Sequence, residues 1–150
     1  AIKFQTETYD GLWVDKWLDK ELKVSPYQGK RRAFHEKTLF YPDQTREIFR
    51  YAKEIGITYF STPSCYDSAD LLDDLGVPLF KISSMDIVNH LLLKHVAKKN
   101  KPIILSTAMA NIDEIDSAIE FGNPSPLSDV RVVISHAAIN FSGSSRAPSQ

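Results

Sequence analysis

From residue 42 onward the apolar positions follow two alternating periods. Stretches with apolar residues three or four apart are separated by short, unbroken apolar runs rich in β-branched and aromatic residues. The first pattern predicts amphipathic helices and the second predicts strands buried on both sides. Their alternation predicts βα repetition with parallel strands, an α/β protein. In the first unit Asp43 is a candidate helix cap and Ile48, Ala52 and Ile55 share one face. Gly56 then stops the helix in a left-handed conformation before the strand 57–60. The next unit repeats the plan: Ser68, Leu71, Leu72 and Leu75 recur at helical spacing, Gly76 stops the helix, and residues 77–82 read as a strand, with Pro78 tolerable near its start. A third helix is expected over about residues 87–99, giving way at Lys101-Pro102 to the strand 103–105. Asn111 and Glu114 predict a capping box ahead of Ile115, Ala118 and Ile119, and residues 130–134 form one more apolar run. Residues 2–5 complete a set of five strands.

Residues 9–41 break the rhythm and are expected to form a long loop-like βα excursion, of the kind that carries function or mobility. Residues 143–150, rich in Ser, Gly and Pro, read as a disordered or truncated tail, which leaves 1–142 as one domain. The chain opens without an initiator methionine directly on a strand-like stretch, so it is expected to be a fragment of a longer protein. Whether the sheet is doubly wound or part of a barrel stays open on periodicity alone; the lack of a Gly-rich phosphate fingerprint after any strand counts against the doubly wound option.

Composition narrows the function classes. With 43% hydrophobic and 25% charged residues and a formal charge of −1, the chain is expected to build one ordinary core. Lys30, Arg31 and Arg32 are a short, isolated basic run, so nucleic acid is not an expected partner. The apolar runs stop short of the roughly 18 residues of a membrane span, so no membrane partner is expected and the default location is cytoplasmic. The single cysteine, Cys65, cannot form an internal disulfide and reads as a packing residue; no Cys/His cluster has zinc-site spacing.

Candidate chemistry collects at one end of the strands. Lys3 and Gln5, Ser61 and Thr62, Lys81, Ser83 and Ser84, Ser106 and Thr107, and His136 close the five apolar runs in turn. Side chains at the carboxyl ends of parallel strands converge on the ligand-binding face, and lysines with hydroxyls suit phosphate or carboxylate, so an anionic substrate is expected. Each has a plainer reading: Lys3 can reach solvent, and Ser or Thr at a strand end can cap a helix. Lys81, set between Phe80 and Ile82, demands a partner or ligand, and a Schiff-base aldolase is its rival chemistry. His90 and His95 fall in a helical stretch as surface or packing residues, and His35 lies in the excursion.

The same strand ends resemble, in order, the N-acetylneuraminate (sialic acid) synthase family. Ala1-Ile2-Lys3-Phe4-Gln5 is similar to the family's second-strand A-[VI]-K-F-Q, Phe60-Ser61-Thr62-Pro63 to F-S-T-P, Lys81-Ile82-Ser83-Ser84 to K-I-x-S, and residues 104–109 to I-x-S-T-G-M; Asn89 is similar to the asparagine after the third motif. The resemblance implies a partial (β/α)8 TIM barrel, about strands 2 to 6. It implies a transferase that condenses phosphoenolpyruvate with an N-acyl-mannosamine-type sugar to a nonulosonic acid and phosphate. Lys3, Gln5, Thr62, Lys81, Ser84, Ser106 and Thr107 match residues that hold the two substrates. The family's divalent metal, Mn or Mg, polarises the sugar aldehyde; its ligands are expected outside this chain, and His136 is not at a matching position. A homodimer is implied for the full-length protein, and a C-terminal antifreeze-like domain for most bacterial members. The 150-residue chain alone is expected to be inactive. Ser64-Cys65 stands where the family usually has Phe-Asp, Met85-Asp86 where it has Gly-Glu, and Ala108 where it has Gly; the family's H-C-x-x-x-Y-P becomes residues 136–142 here. These departures leave legionaminic, pseudaminic or spore-coat polysaccharide synthases as alternatives.

Overall fold

The computed structural model describes residues 1–7, 14–24, 27–122 and the strand backbone of 132–135; residues 136–150, including His136 and the expected tail, lie outside the described residues, as does Trp13. Five strands form one parallel sheet: β1 (Ile2–Thr6), β4 (Tyr59–Pro63), β5 (Phe80–Ile82), β6 (Ile103–Ser106) and β7 (Val132–Ser135), in the order β1-β4-β5-β6-β7. Strand order follows chain order without reversal. A doubly wound sheet reverses its order at a switch point and is covered on both faces; a (β/α) barrel does neither.

The register and burial settle which face is covered. Tyr59, Phe80, Ile82, Ile103 and Leu105 all alternate onto one side, all are buried, and they form one cluster with Ala52, Leu72, Leu92, Val96 and Ala118 from the helices. Those helices are α3 (Pro42–Glu54), α4 (Tyr66–Asp74), α5 (His90–Ala97) and α6 (Ile112–Gly122). The core is therefore the layer between sheet and helices, and the chain is an arc of a (β/α)8 barrel. Each large apolar side chain in that layer contributes about 1.5–3 kcal/mol.

Local signals explain the helix ends. Gly56 and Gly76 both take φ 73°, and the same paired bonds close both helices: Gly56 N–H to Lys53 O (3.2 Å) with Ile57 N–H to Ala52 O (2.8 Å), then Gly76 N–H to Asp73 O (2.8 Å) with Val77 N–H to Leu72 O (3.2 Å). Asn111 and Glu114 exchange the two bonds of a capping box, each 2.9 Å. The start of α3 differs from expectation: Tyr41 is the cap and Pro42 the first helical residue, with Asp43 inside the first turn, where its charge meets the helix dipole. Ile55 lies at the helix end, 50% exposed, off the buried face. The strand expected over 77–82 is confined to Phe80–Ile82, and α5 to His90–Ala97, capped by Asn89 Oδ1, which accepts from Leu92 N–H at 3.2 Å. On the outer surface Asp70 of α4 accepts from His95 (2.7 Å) and Lys99, and Asp73 pairs with Lys101 (2.5 Å).

The excursion is more ordered than its sequence suggests. Residues 14–40 hold α1 (Asp15–Leu18), an antiparallel hairpin of β2 (Glu21–Val24) and β3 (Tyr27–Lys30), and α2 (Arg31–Thr38). Leu18 is buried, the Arg31 guanidinium stacks 4.2 Å above Trp17, and Arg32 pairs with Asp15 at 2.8 Å. Four-residue strands and a two-turn helix are too short to show a period.

Candidate functional site

The face of the sheet turned away from the helices is the one that carries polar groups. Lys3 lies opposite Phe60 and Gln5 opposite Thr62; Ser61 lies opposite Phe80, which sets Thr62 beside Lys81; and Lys81 lies opposite Ile104, two residues before Ser106. Alternation thus places Lys3, Gln5, Thr62, Lys81 and Ser106 on one face. Lys3 and Gln5 are exposed, Lys81 and Ser106 half-buried and Thr62 buried. Ser84 sits half-buried in the turn after β5. Thr107 follows β6 directly and is buried, 1% exposed.

The Lys81 ammonium is pushed below its ordinary value, first by burial and then by the positive charge of Lys3. A half-buried ammonium on the same face as a second, exposed one favours an anion beside it, which would relieve both effects on Lys81.

A cleft of about 250 Å3 opens at the carboxyl ends of β1, β4 and β5, lined by Gln5, Glu7, Thr62, Ser64, Ser83, Met85 and Asp86. Its two carboxyls are both raised. Burial pushes Glu7 up, the charge of His35 opposes this, and the charge of Asp86 adds to it; burial pushes Asp86 up against a hydrogen bond from Asn89. Such carboxyls hold protons longer than exposed ones and can deliver them to a substrate oxygen. Among the described residues no three His, Cys, Asp or Glu side chains are grouped to hold a metal ion, so the described residues do not by themselves form a metal centre.

Sequence reasoning overlooked Glu7 and gave Asp86 only as a departure. The missed signal at Glu7 is its place immediately after Thr6, the last residue of β1. Ser61, by contrast, falls among the polar strand ends in sequence but faces the helices: it is fully buried, and its hydroxyl lies 2.8 Å from that of Thr6. The Tyr59 phenol, raised by burial, bonds to the same two hydroxyls.

A second cleft of about 430 Å3 lies between the β4–α4 and β5–α5 connections, lined by Ser64, Cys65, Tyr66, Asp67, Asp86, Asn89, Leu91 and Leu92. Ser64 and Asp86 border both clefts.

The chain is similar to known proteins in sequence and in fold. An N,N'-diacetyllegionaminic acid synthase of Campylobacter jejuni is 40% identical over 125 residues, covering 79% of this chain and 36% of the relative. Human N-acetylneuraminate-9-phosphate synthase is 31% identical over 125 residues, covering 83% of this chain and 35% of the relative. The chain thus spans about a third of the length of these relatives. In fold it is similar to an N-acetylneuraminic acid (sialic acid) synthetase from Leptospira borgpetersenii solved in complex with citrate, with a TM-score of 0.70 at 22% identity over 91% of this chain and 42% of that one. The pattern of the NeuB family matches residues 1–141, from the first strand to beyond the last, and the chain belongs to that family.

Proposed function

We propose that this chain is the anion-binding arc of a nonulosonic acid synthase that joins phosphoenolpyruvate to an N-acylated amino sugar of the mannosamine type. The observation that carries the reading is the placement of Lys3 and Lys81 on one face of the sheet, where burial first and the charge of Lys3 second depress the Lys81 ammonium. Phosphoenolpyruvate brings a phosphate and a carboxylate to two cations, and the hydroxyls of Thr62, Ser84, Ser106 and Thr107 with the amide of Gln5 supply hydrogen bonds. The methylene carbon of phosphoenolpyruvate bonds to the aldehyde carbon of the open-chain sugar, whose oxygen takes a proton; Glu7 and Asp86 are the cleft groups suited to give it. Water then adds to the oxocarbenium carbon and inorganic phosphate leaves. A divalent metal, a homodimer and a cytoplasmic location belong to the proposal for the full-length protein. Legionaminic, pseudaminic and spore-coat polysaccharide synthases are variants of it that differ in the sugar.

The test is phosphate release from phosphoenolpyruvate with N-acetylmannosamine or its diacetylated analogues and manganese, on the 150-residue chain and on the full-length protein. Activity in the full-length protein alone is expected. Release in neither, with every sugar, would refute the reading. The depressed Lys81 amine supports a second reading, a Schiff-base aldolase, since a neutral amine is the nucleophile that chemistry needs. Borohydride trapping of pyruvate on Lys81 would favour it.

A further inference from the structure

We propose that Met85 is an oxidation site on the wall of the strand-end cleft: a peroxide converts its thioether to the sulfoxide, and the new oxygen competes with the anionic substrate for the hydrogen-bond donors there. The identity of that substrate rests on the synthase reading above. Three observations carry it.

The first is accessibility. Methionine is usually a core residue, yet Met85 is 68% exposed. It sits in the turn after β5, which is fixed by Met85 N–H donating to Ser83 Oγ at 3.3 Å and Asp86 N–H donating to Ser83 O at 3.0 Å. An exposed thioether on a fixed turn meets a dissolved oxidant directly. The second is position. Gln5, Glu7, Thr62, Ser64, Ser83 and Asp86 line the cleft with it, so among the described residues there Met85 is the one apolar side chain in a polar wall. The third is the contrast with the other sulfurs. Met109 is 73% exposed but lies in the β6–α6 connection, outside this cleft. Cys65 is half-buried, with Sγ 3.4 Å from Ser68 Oγ, and a cysteine reacts with peroxide as its thiolate.

The sulfur lone pair attacks one oxygen of the peroxide; the S–O bond forms and the O–O bond breaks. The departing hydroxide takes the proton left on the sulfur-bound oxygen and becomes water. Sulfur thereby gives up an electron pair to the peroxide, and a dithiol-driven sulfoxide reductase returns it. The product is polar where the thioether was apolar, and its oxygen is an acceptor. The Gln5 amide and the Thr62 and Ser83 hydroxyls are donors in the same cleft, and each one that turns to the sulfoxide is lost to a phosphate or carboxylate. Glu7 and Asp86, which burial holds protonated longer than exposed carboxyls, add two more donors to that competition.

The experiment treats the full-length enzyme with graded hydrogen peroxide and reads two quantities: the sulfoxide fraction at Met85 and Met109 by peptide mass spectrometry, and the KM for phosphoenolpyruvate by phosphate release. Met85 should oxidise as readily as Met109, and the KM should rise in step with Met85 sulfoxide by about tenfold, the loss of one hydrogen bond to a charged group. A sulfoxide reductase with a dithiol should bring it back. Met85→Leu, compared with its own untreated form, should keep its KM at the same peroxide dose, whereas Met109→Leu should respond as the wild type does. A Met85 that stays reduced while Met109 oxidises, or a KM that rises equally in Met85→Leu, would overturn the site while leaving the synthase standing. Untreated enzyme that releases no phosphate with any sugar would remove the synthase reading, and the effect on phosphoenolpyruvate with it.

Discussion

The two faces of the parallel sheet are made by alternate residues of the same strands, yet they obey different rules. On the helix-covered side Phe80, Ile82, Ile103 and Leu105 are fully buried and interlocked with four helices. On the other side Lys3, Gln5, Thr62, Lys81 and Ser106 form a polar file in which one lysine is held at an electrostatic cost beside another. One face supplies stability and the other spends part of it on charge placement. Moving one residue along β5 crosses from the first regime to the second.

That crossing can be broken most forcefully at adjacent residues. Phe80→Ala should lower stability by about 3–5 kcal/mol in denaturant unfolding, because a large buried ring leaves a cavity. Lys81→Met in the full-length enzyme should leave stability equal or higher, since a desolvated cation is removed, while cutting kcat/KM about 100-fold. Similar destabilisation by both would abolish the distinction. A smaller effect is expected from Ser61→Ala, which leaves the buried Thr6 hydroxyl with the Tyr59 phenol but without its Ser61 partner: about 0.5–1.5 kcal/mol in thermal unfolding, with KM for phosphoenolpyruvate unmoved. A rise in that KM would put Ser61 on the ligand side after all.

The smallest effect sharpens the comparison through pH. Glu7 is held above its ordinary 4.5, so its contribution to stability is full below that value and is lost as pH rises through the raised one. Glu7→Gln cannot ionise, and should be slightly more stable than wild type near about pH 7, with the gap closing below about pH 4. Thermal melts across this range decide it, and a gap that widens on acidification would contradict the assigned direction.

Much of the helix-covered face was legible in the sequence because its signals are local. Gly56, Gly76 and the Asn111–Glu114 pair act within a few residues, and the apolar runs of β5 and β6 need no partner to be recognised. The open face was legible only in part. Lys3, Gln5, Thr62, Lys81 and Ser106 could be picked out as polar strand ends, but separating Thr62 from Ser61 requires the register, which only the pairing with β1 and β5 provides. Asp86 joins Glu7 only because two connections far apart in sequence meet at one cleft. The hairpin of β2 and β3 escaped notice because each strand is four residues long, too short for its alternation of exposed and half-buried positions to stand out.

The hydroxyl pair between Thr6 and Ser61 has a consequence for how the chain finds its fold. A slip of β1 by a single residue along β4 would send Lys3 and Gln5 into the helix layer and turn Phe4 and Thr6 outward. It would also separate two buried hydroxyls that have each other as partner. Misalignment would therefore be punished twice, by an ammonium in an apolar layer and by orphaned polar groups. The aligned register, with both lysines on one face, is favoured over the slipped one.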